Sequence, residues 1–289
     1  MKTNNASARI SLILSMCIFG TIGLVRKYID LPSSIIALAR ALIGTLFLGF
    51  LLIVKRQRPD LKAIRKNILP LLISGSMLGF NWILLFEAYC YTSVATATLC
   101  YYMAPIIMIL VSPVFFREKL TPKKLVCILT ALVGMVFVSG VLQTGIGGIS
   151  ELTGIFLGLG AAVLYAAIVL VNKKMDGISA LDRTIVQLAI SSVILLPYTL
   201  LTEDWTTFSL GSTGLILVLT AGIIHTGVAY ALYFGSIHRL PAQTVALFSY
   251  IDPILAVVLS ALFLQEPLTL PGIIGAVLIL GAAFLSEKS

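Results

Sequence analysis

Four ionisable side chains stand inside long apolar runs: Arg40, Glu87, His225 and Asp252. At the centre of a membrane helix such a group costs roughly 2.5 to 3.5 kcal/mol on insertion scales, so it ordinarily faces protein or water. A guanidinium at Arg40 suits a carboxylate held by two hydrogen bonds. Its alternatives are to snorkel outward or to pair with Glu87 or Asp252. His225, midway along its run on a face with Ala221, Gly222 and Ala229, suits either proton coupling or a neutral structural hydrogen bond. Asp252 suits a cation or a proton, or else caps broken backbone beside Pro253. Glu87, near the end of its run, either binds an amine or reaches interfacial water.

Around these groups lie aromatic side chains with polar tips. Thr98, Tyr101, Tyr102 and Pro105 recur at helical spacing, and Ala246, Ser249, Tyr250 and Pro253 repeat the pattern later in the chain. Tyrosine suits a wet pocket, where the ring binds apolar surface and the hydroxyl orients a ligand; helix-to-helix hydrogen bonding is the alternative. Trp82 shares a face with Gly75, Gly79 and Phe86, while Asn81 lies on another and suits a bond to a neighbouring helix. Pro105 and Pro253 each lack an N–H and clash with the carbonyl four residues earlier, at Tyr101 and Ser249. Each is expected to kink a helix, as a hinge or cavity wall or as a static packing feature.

The elements that must position these residues are membrane helices. The 289 residues are 59% hydrophobic and 11% charged, with far more apolar side chain than one soluble domain could hide. Apolar runs place spans near 9–25, 34–54, 68–89, 94–116, 123–142, 152–171, 180–201, 211–234, 241–264 and 270–285. They lack the alternation of a membrane barrel, and a lone segment in hydrocarbon must satisfy its own backbone, so they are helices. With the N-terminus in the cytoplasm, 17 of the 20 basic residues fall in inner segments, and only Arg26 and Lys27 fall outside. That asymmetry puts both termini inside. It also accounts for the net charge of +8 without nucleic acid, since basic loops face anionic headgroups. Cys17, Cys90, Cys100 and Cys127 sit in or beside apolar runs as small hydrophobes rather than as a disulfide or metal set.

Displacing the chain against itself by 148 positions aligns 86–121 with 234–269, with 11 of 36 pairs identical; about three or four would arise by chance in so biased a composition. Tyr102 meets Tyr250, Pro105 meets Pro253 and Glu118 meets Glu266, whereas Asp252 meets Ala104. The expected domains are 1–146 and 147–289, each of five helices. Because five is odd, the second copy enters from the opposite side, making an inverted repeat of the kind that alternates between inward-open and outward-open states. Glu118 and Glu266 then lie at opposite surfaces, each capping the next helix or closing a gate.

Phe86-Glu87-Ala88-Tyr89, Thr92-Ser93-Val94-Ala95, Ala104-Pro105 and Arg117-Glu118-Lys119-Leu120-Thr121, with Asp252-Pro253 and Gln265-Glu266-Pro267-Leu268-Thr269 in the second copy, resemble the drug/metabolite transporter superfamily, EamA type. The resemblance implies ten helices in a basket around a central cavity and transport of small metabolites, often outward. The expectation is an all-α membrane protein, a secondary transporter of an amino acid or organic cation in the cell membrane. Its substrate-binding residues would be Trp82, Tyr101, Tyr102, Tyr250, Arg40 and Glu87, with His225 and Asp252 for proton coupling and Pro105 and Pro253 as hinges. No cofactor or metal is expected, and the partners would be a small molecule and lipid, the protein being a monomer or homodimer. Uptake by the same fold is the alternative. A channel or scramblase would need a continuous hydrophilic path, and an intramembrane enzyme would need a constellation that two histidines do not supply. Neither a phosphate-binding loop nor a His-Glu-x-x-His motif occurs.

Overall fold

The computed structural model describes residues 2–116, 121–138, 149–205, 211–237, 239–240 and 248–287. Among these residues every regular element is helical. Six helices are long and apolar enough to cross a membrane: Ala6–Lys27, Ser33–Val54, Ile68–Tyr91, Ile149–Asn172, Ala180–Thr202 and Ser212–Ser236. Four shorter apolar helices, Val94–Met108, Leu125–Val138, Ile251–Phe263 and Leu270–Leu285, complete the series. In chain order these are here the first to the tenth helix. Each of the ten expected spans overlaps one of these apolar helices. The chain is a multi-pass membrane protein, and its outward faces carry side chains such as Leu46, Phe50, Ile53, Phe156, Val193 and Val277 fully or largely exposed, as a lipid-facing surface requires.

The packing has an internal twofold pattern. Between the first five helices and the last five, the main partnerships are first with eighth and ninth, second with seventh and eighth, third with sixth and seventh, fourth with sixth and ninth, and fifth with tenth. Exchanging each helix for the one five places along the series leaves this set of partnerships unchanged. Small residues make the crossings close. A Cβ at Gly75 would stand 2.8 Å from Ile190, and one at Gly79 2.9 Å from Leu195, so this pair seats the third helix on the seventh. Gly154 and Gly158 in the sixth helix stand equally close to Thr92 and Cys100. In hydrocarbon such close approach supplies the dispersion contacts that drive helix association. Polar ties join the same helices: Gln187 donates to Ser74 Oγ at 2.6 Å and Asn172 Oδ1 at 2.7 Å. Asn81 donates to the Ala161 carbonyl at 2.6 Å, the interhelical role expected of it.

Four helices are interrupted. The first breaks at Thr21 between Lys2–Gly20 and Ile22–Lys27. The fourth breaks at Tyr102 and Met103, between Val94–Tyr101 and Ala104–Phe116. The eighth contains a π-helical segment, Ile223–Val228. The ninth has a turn at Tyr250 before Ile251–Phe263. The expected proline kinks therefore take another form. Pro105 and Pro253 lie in the first turn of a new helix, where the backbone N–H has no intrahelical partner and its loss is tolerated. The chain breaks ahead of each proline instead of bending through it.

Gly134 and Gly275 mark the crossing of the fifth and tenth helices, since a Cβ on Gly275 would stand 2.6 Å from the Gly134 carbonyl oxygen. Gly275→Val should lower stability by ~1–3 kcal/mol, the usual cost of overpacking, read as a drop in melting temperature of the detergent-purified protein. An unchanged melting temperature would mean that these helices do not cross there.

Candidate functional site

Arg40 sits in the second helix, buried at 5% exposure. Its Nε donates to Thr226 Oγ1 at 3.1 Å. Its Cζ lies 4.2 Å from the ring centre of Trp82 and 5.2 Å from that of Phe86. Trp82 and Phe86 are four apart on the third helix and so share a face, which forms an aromatic bed for the cation; such a contact is worth about 2 kcal/mol or more when desolvated. Thr226 is available because the π-helical segment re-aims it: its hydroxyl donates five residues back, to the Ala221 carbonyl at 3.1 Å, and still accepts from Arg40. Segments of this kind often occur at functional sites.

The expected pairing of Arg40 with Glu87 or Asp252 is not found among the described residues. Snorkelling is not found either, because the residue is buried among the second, third and eighth helices. Glu87 lies five residues, and so about 140° of helix, from Trp82; it is half-buried and makes no hydrogen bond or ion pair among the described residues. Asp252 Oδ2 accepts from Tyr102 Oη at 2.9 Å. The same hydroxyl lies 3.3 Å from the Ser249 carbonyl, the oxygen that Pro253 leaves without an N–H. Tyr102 thus bridges the broken backbone of the ninth helix from the fourth. Gly20 brings the first helix onto the same point, since a Cβ there would stand 2.8 Å from the Asp252 carbonyl oxygen.

Aromatic rings connect the two charged groups. Tyr101 packs edge-on against Tyr102 with centroids 6.3 Å apart, and Tyr165 against Tyr101 at 5.4 Å. Tyr101 Oη reaches Asn81 Oδ1 at 3.4 Å. Tyr89, Tyr101 and Tyr230 lie within electrostatic range of Arg40, and Tyr89 is within range of Asp252 as well. The structure thus brings together Arg40, Trp82, Tyr101, Tyr102 and Asp252. It places Tyr250 elsewhere: the ring is buried against Phe284, centroids 5.9 Å apart, in a second core with Leu99, Ile106, Cys127 and Ile279.

His225 Nε2 is 2.8 Å from Thr21 Oγ1, and Nδ1 is 3.3 Å from the Thr220 carbonyl. A carbonyl only accepts, so Nδ1 donates there. Thr21 Oγ1 also reaches the Ile18 carbonyl at 2.7 Å. A neutral ring takes the threonine proton at Nε2, whereas a protonated ring donates to the threonine, which then donates to Ile18. The break in the first helix and the π-helical segment of the eighth therefore meet at a group with two proton arrangements. Thr226 and Thr21 were not legible as partners in the sequence, because they lie 186 and 204 residues from the side chains they bind.

Glu266 corrects another expectation. It accepts from the backbone N–H groups of Val94 at 2.9 Å and Ala95 at 3.3 Å, so it caps the fourth helix and not the one that follows it. Gln265, at φ 54, turns the chain after Phe263 in the left-handed region that aims this carboxylate. Glu118 and Ala246 lie outside the described residues.

A helical membrane protein built in two similar halves, with charged and aromatic groups at its centre, has the form of a transporter. The EamA-like transporter family model matches residues 6–140 and 152–287, and the chain belongs to that family. It is 33% identical over 261 residues to "Uncharacterized transporter YxxF" of Bacillus subtilis (strain 168), covering 89% of this chain and 82% of that one. It is 25% identical over 268 residues to "Protein RarD" of Salmonella typhi, covering 89% and 87%. A solved crystal structure shares the fold, with TM-score 0.68 at 18% identity over 98% of both chains. The relatives named as transporters support membrane transport in general, and point away from an enzyme.

Tyr102→Phe removes the hydroxyl shared by Asp252 and the Ser249 carbonyl. The loss should cost ~1–3 kcal/mol, measured by thermal unfolding in lipid nanodiscs; wild-type stability in the variant would show that neither bond holds the ninth helix.

Proposed function

We propose that the protein is a secondary transporter that moves a small amphipathic metabolite, an amino acid or organic cation, across the cytoplasmic membrane by alternating access. One observation carries this reading: Arg40 and Asp252, of opposite charge and not paired with each other among the described residues, stand among four helices that are each interrupted near them. Interrupted helices expose backbone and polar groups at membrane depth only where protein or a wet cavity receives them. The proposed architecture is ten crossings in two inverted halves, 1–146 and 147–289, with both termini in the cytoplasm. The packing pattern supports the two halves, and the asymmetry of basic residues supports the orientation. Export is the direction the family resemblance favours. His225 and Asp252 are the proton-coupling residues of this proposal, supported by the two arrangements open to the histidine and by the carboxylate's single hydrogen-bonding partner among the described residues.

Reconstituted in liposomes, the protein should show saturable counterflow of labelled substrate; a leak that rises linearly with concentration would replace the carrier by a pore. Asp252→Asn should abolish or uncouple flux while the protein stays inserted. Full pH-dependent transport by that variant would remove Asp252 from the mechanism.

A further inference from the structure

A buried guanidinium stays charged in proteins, and a charge withdrawn from water without compensation is strongly destabilising. Arg40 has no carboxylate partner among the described residues; its contacts there are the Thr226 hydroxyl at Nε and the rings of Trp82 and Phe86. Among the described residues its terminal nitrogens, Nη1 and Nη2, make no hydrogen bond, yet neither is among the fully enclosed unpaired side-chain atoms, a group that does include Arg26 Nε. Protein atoms therefore do not seal them completely. With Nε tied to Thr226 and the guanidinium resting on the third helix, the two-pronged edge is held in one orientation, the geometry in which arginine takes both oxygens of a carboxylate.

Asp252 presents a similar group of opposite sign. Oδ2 is held by Tyr102, and Oδ1 makes no hydrogen bond among the described residues and is likewise not fully enclosed. Tyr89 lies within range of both charges; on the fourth helix Tyr102 donates to Asp252, and its neighbour Tyr101 reaches Asn81, next to Trp82.

We infer that Arg40 and Asp252 are the two poles of one binding site for a zwitterion, with the substrate carboxylate on Arg40, its ammonium on Asp252 and its apolar part against Trp82, Tyr101 and Tyr102. This rests on the transporter reading and narrows it. An unpaired cation beside the site repels a simple organic cation, so of the two substrate classes the amino acid is the one that fits. Arg40 is then a specificity-determining residue, and Thr226 positions it.

The test compares the purified protein's melting temperature across the common L-amino acids, their α-amides and the corresponding decarboxylated amines. The amides keep ammonium and side chain and lack only the carboxylate charge. At least one free acid should stabilise the protein by mass action, with its amide and amine binding at least about tenfold more weakly, as expected for loss of a charged hydrogen-bonding partner. Arg40→Gln should erase the preference of acid over amide, and Arg40→Lys should keep part of it. Equal binding of amide and acid, no binding by any amino acid, or a preference that survives Arg40→Gln would each overturn the assignment. The comparison of ligands on the unaltered protein needs no variant, so a misfolded Arg40→Gln does not shield the idea. Saturable counterflow of an organic cation, with no preference for acids, would overturn this site and leave the transporter standing. Selective acid binding without flux would do the reverse.

Discussion

A full positive charge held inside an apolar bundle, with no acidic side chain beside it among the described residues, is the constraint around which the rest of this structure is arranged. Arg40 is kept there by weaker forces acting together: the face of an indole, a second ring and one hydroxyl. None of these neutralises the charge, and all fix its direction. The third helix must approach closely enough to present Trp82 and Phe86, which the glycines at 75 and 79 allow by seating it on the seventh. The eighth must turn Thr226 inward, which its wider π-helical turn accomplishes.

The interruptions follow from the same economy of polar groups. Each broken helix leaves backbone groups that hydrocarbon would punish, and a side chain from another helix answers several of them. Tyr102 meets the carbonyl that Pro253 cannot serve, Thr21 meets the ring carried by the π-helical segment, and Glu266 meets the first amides of the fourth helix. These ties run between the halves of the chain. The breaks are therefore secured by side chains from the opposite half of the chain.

Much of the scaffold was legible in the sequence because lipid leaves few options. The runs at 34–54, 68–89 and 180–201 became Ser33–Val54, Ile68–Tyr91 and Ala180–Thr202, their ends set by polar punctuation. The site was legible in its residue types and less so in its arrangement. Costly charges and tyrosines at depth pointed to Arg40, Trp82, Tyr101, Tyr102 and Asp252. What holds them depends on contacts between distant segments: nothing local distinguishes Thr226 from Thr220, and Gly20 and Gly23 flank the break at Thr21 without naming its partner. Tyr250 shows the limit of the repeat. Its counterpart Tyr102 bonds to Asp252, whereas Tyr250 packs in a second apolar core beside Phe284, a difference that a one-dimensional alignment conceals.

Trp82 has one further consequence. The chain has two tryptophans; the other, Trp205, is 46% exposed near the end of the seventh helix, where its indole N–H reaches the Thr199 carbonyl. A water-soluble quencher would silence Trp205 and leave the enclosed indole emitting beside the guanidinium. The protein thus carries its own optical reporter at the centre of the bundle, and its colour and intensity follow the electric field there without any attached dye.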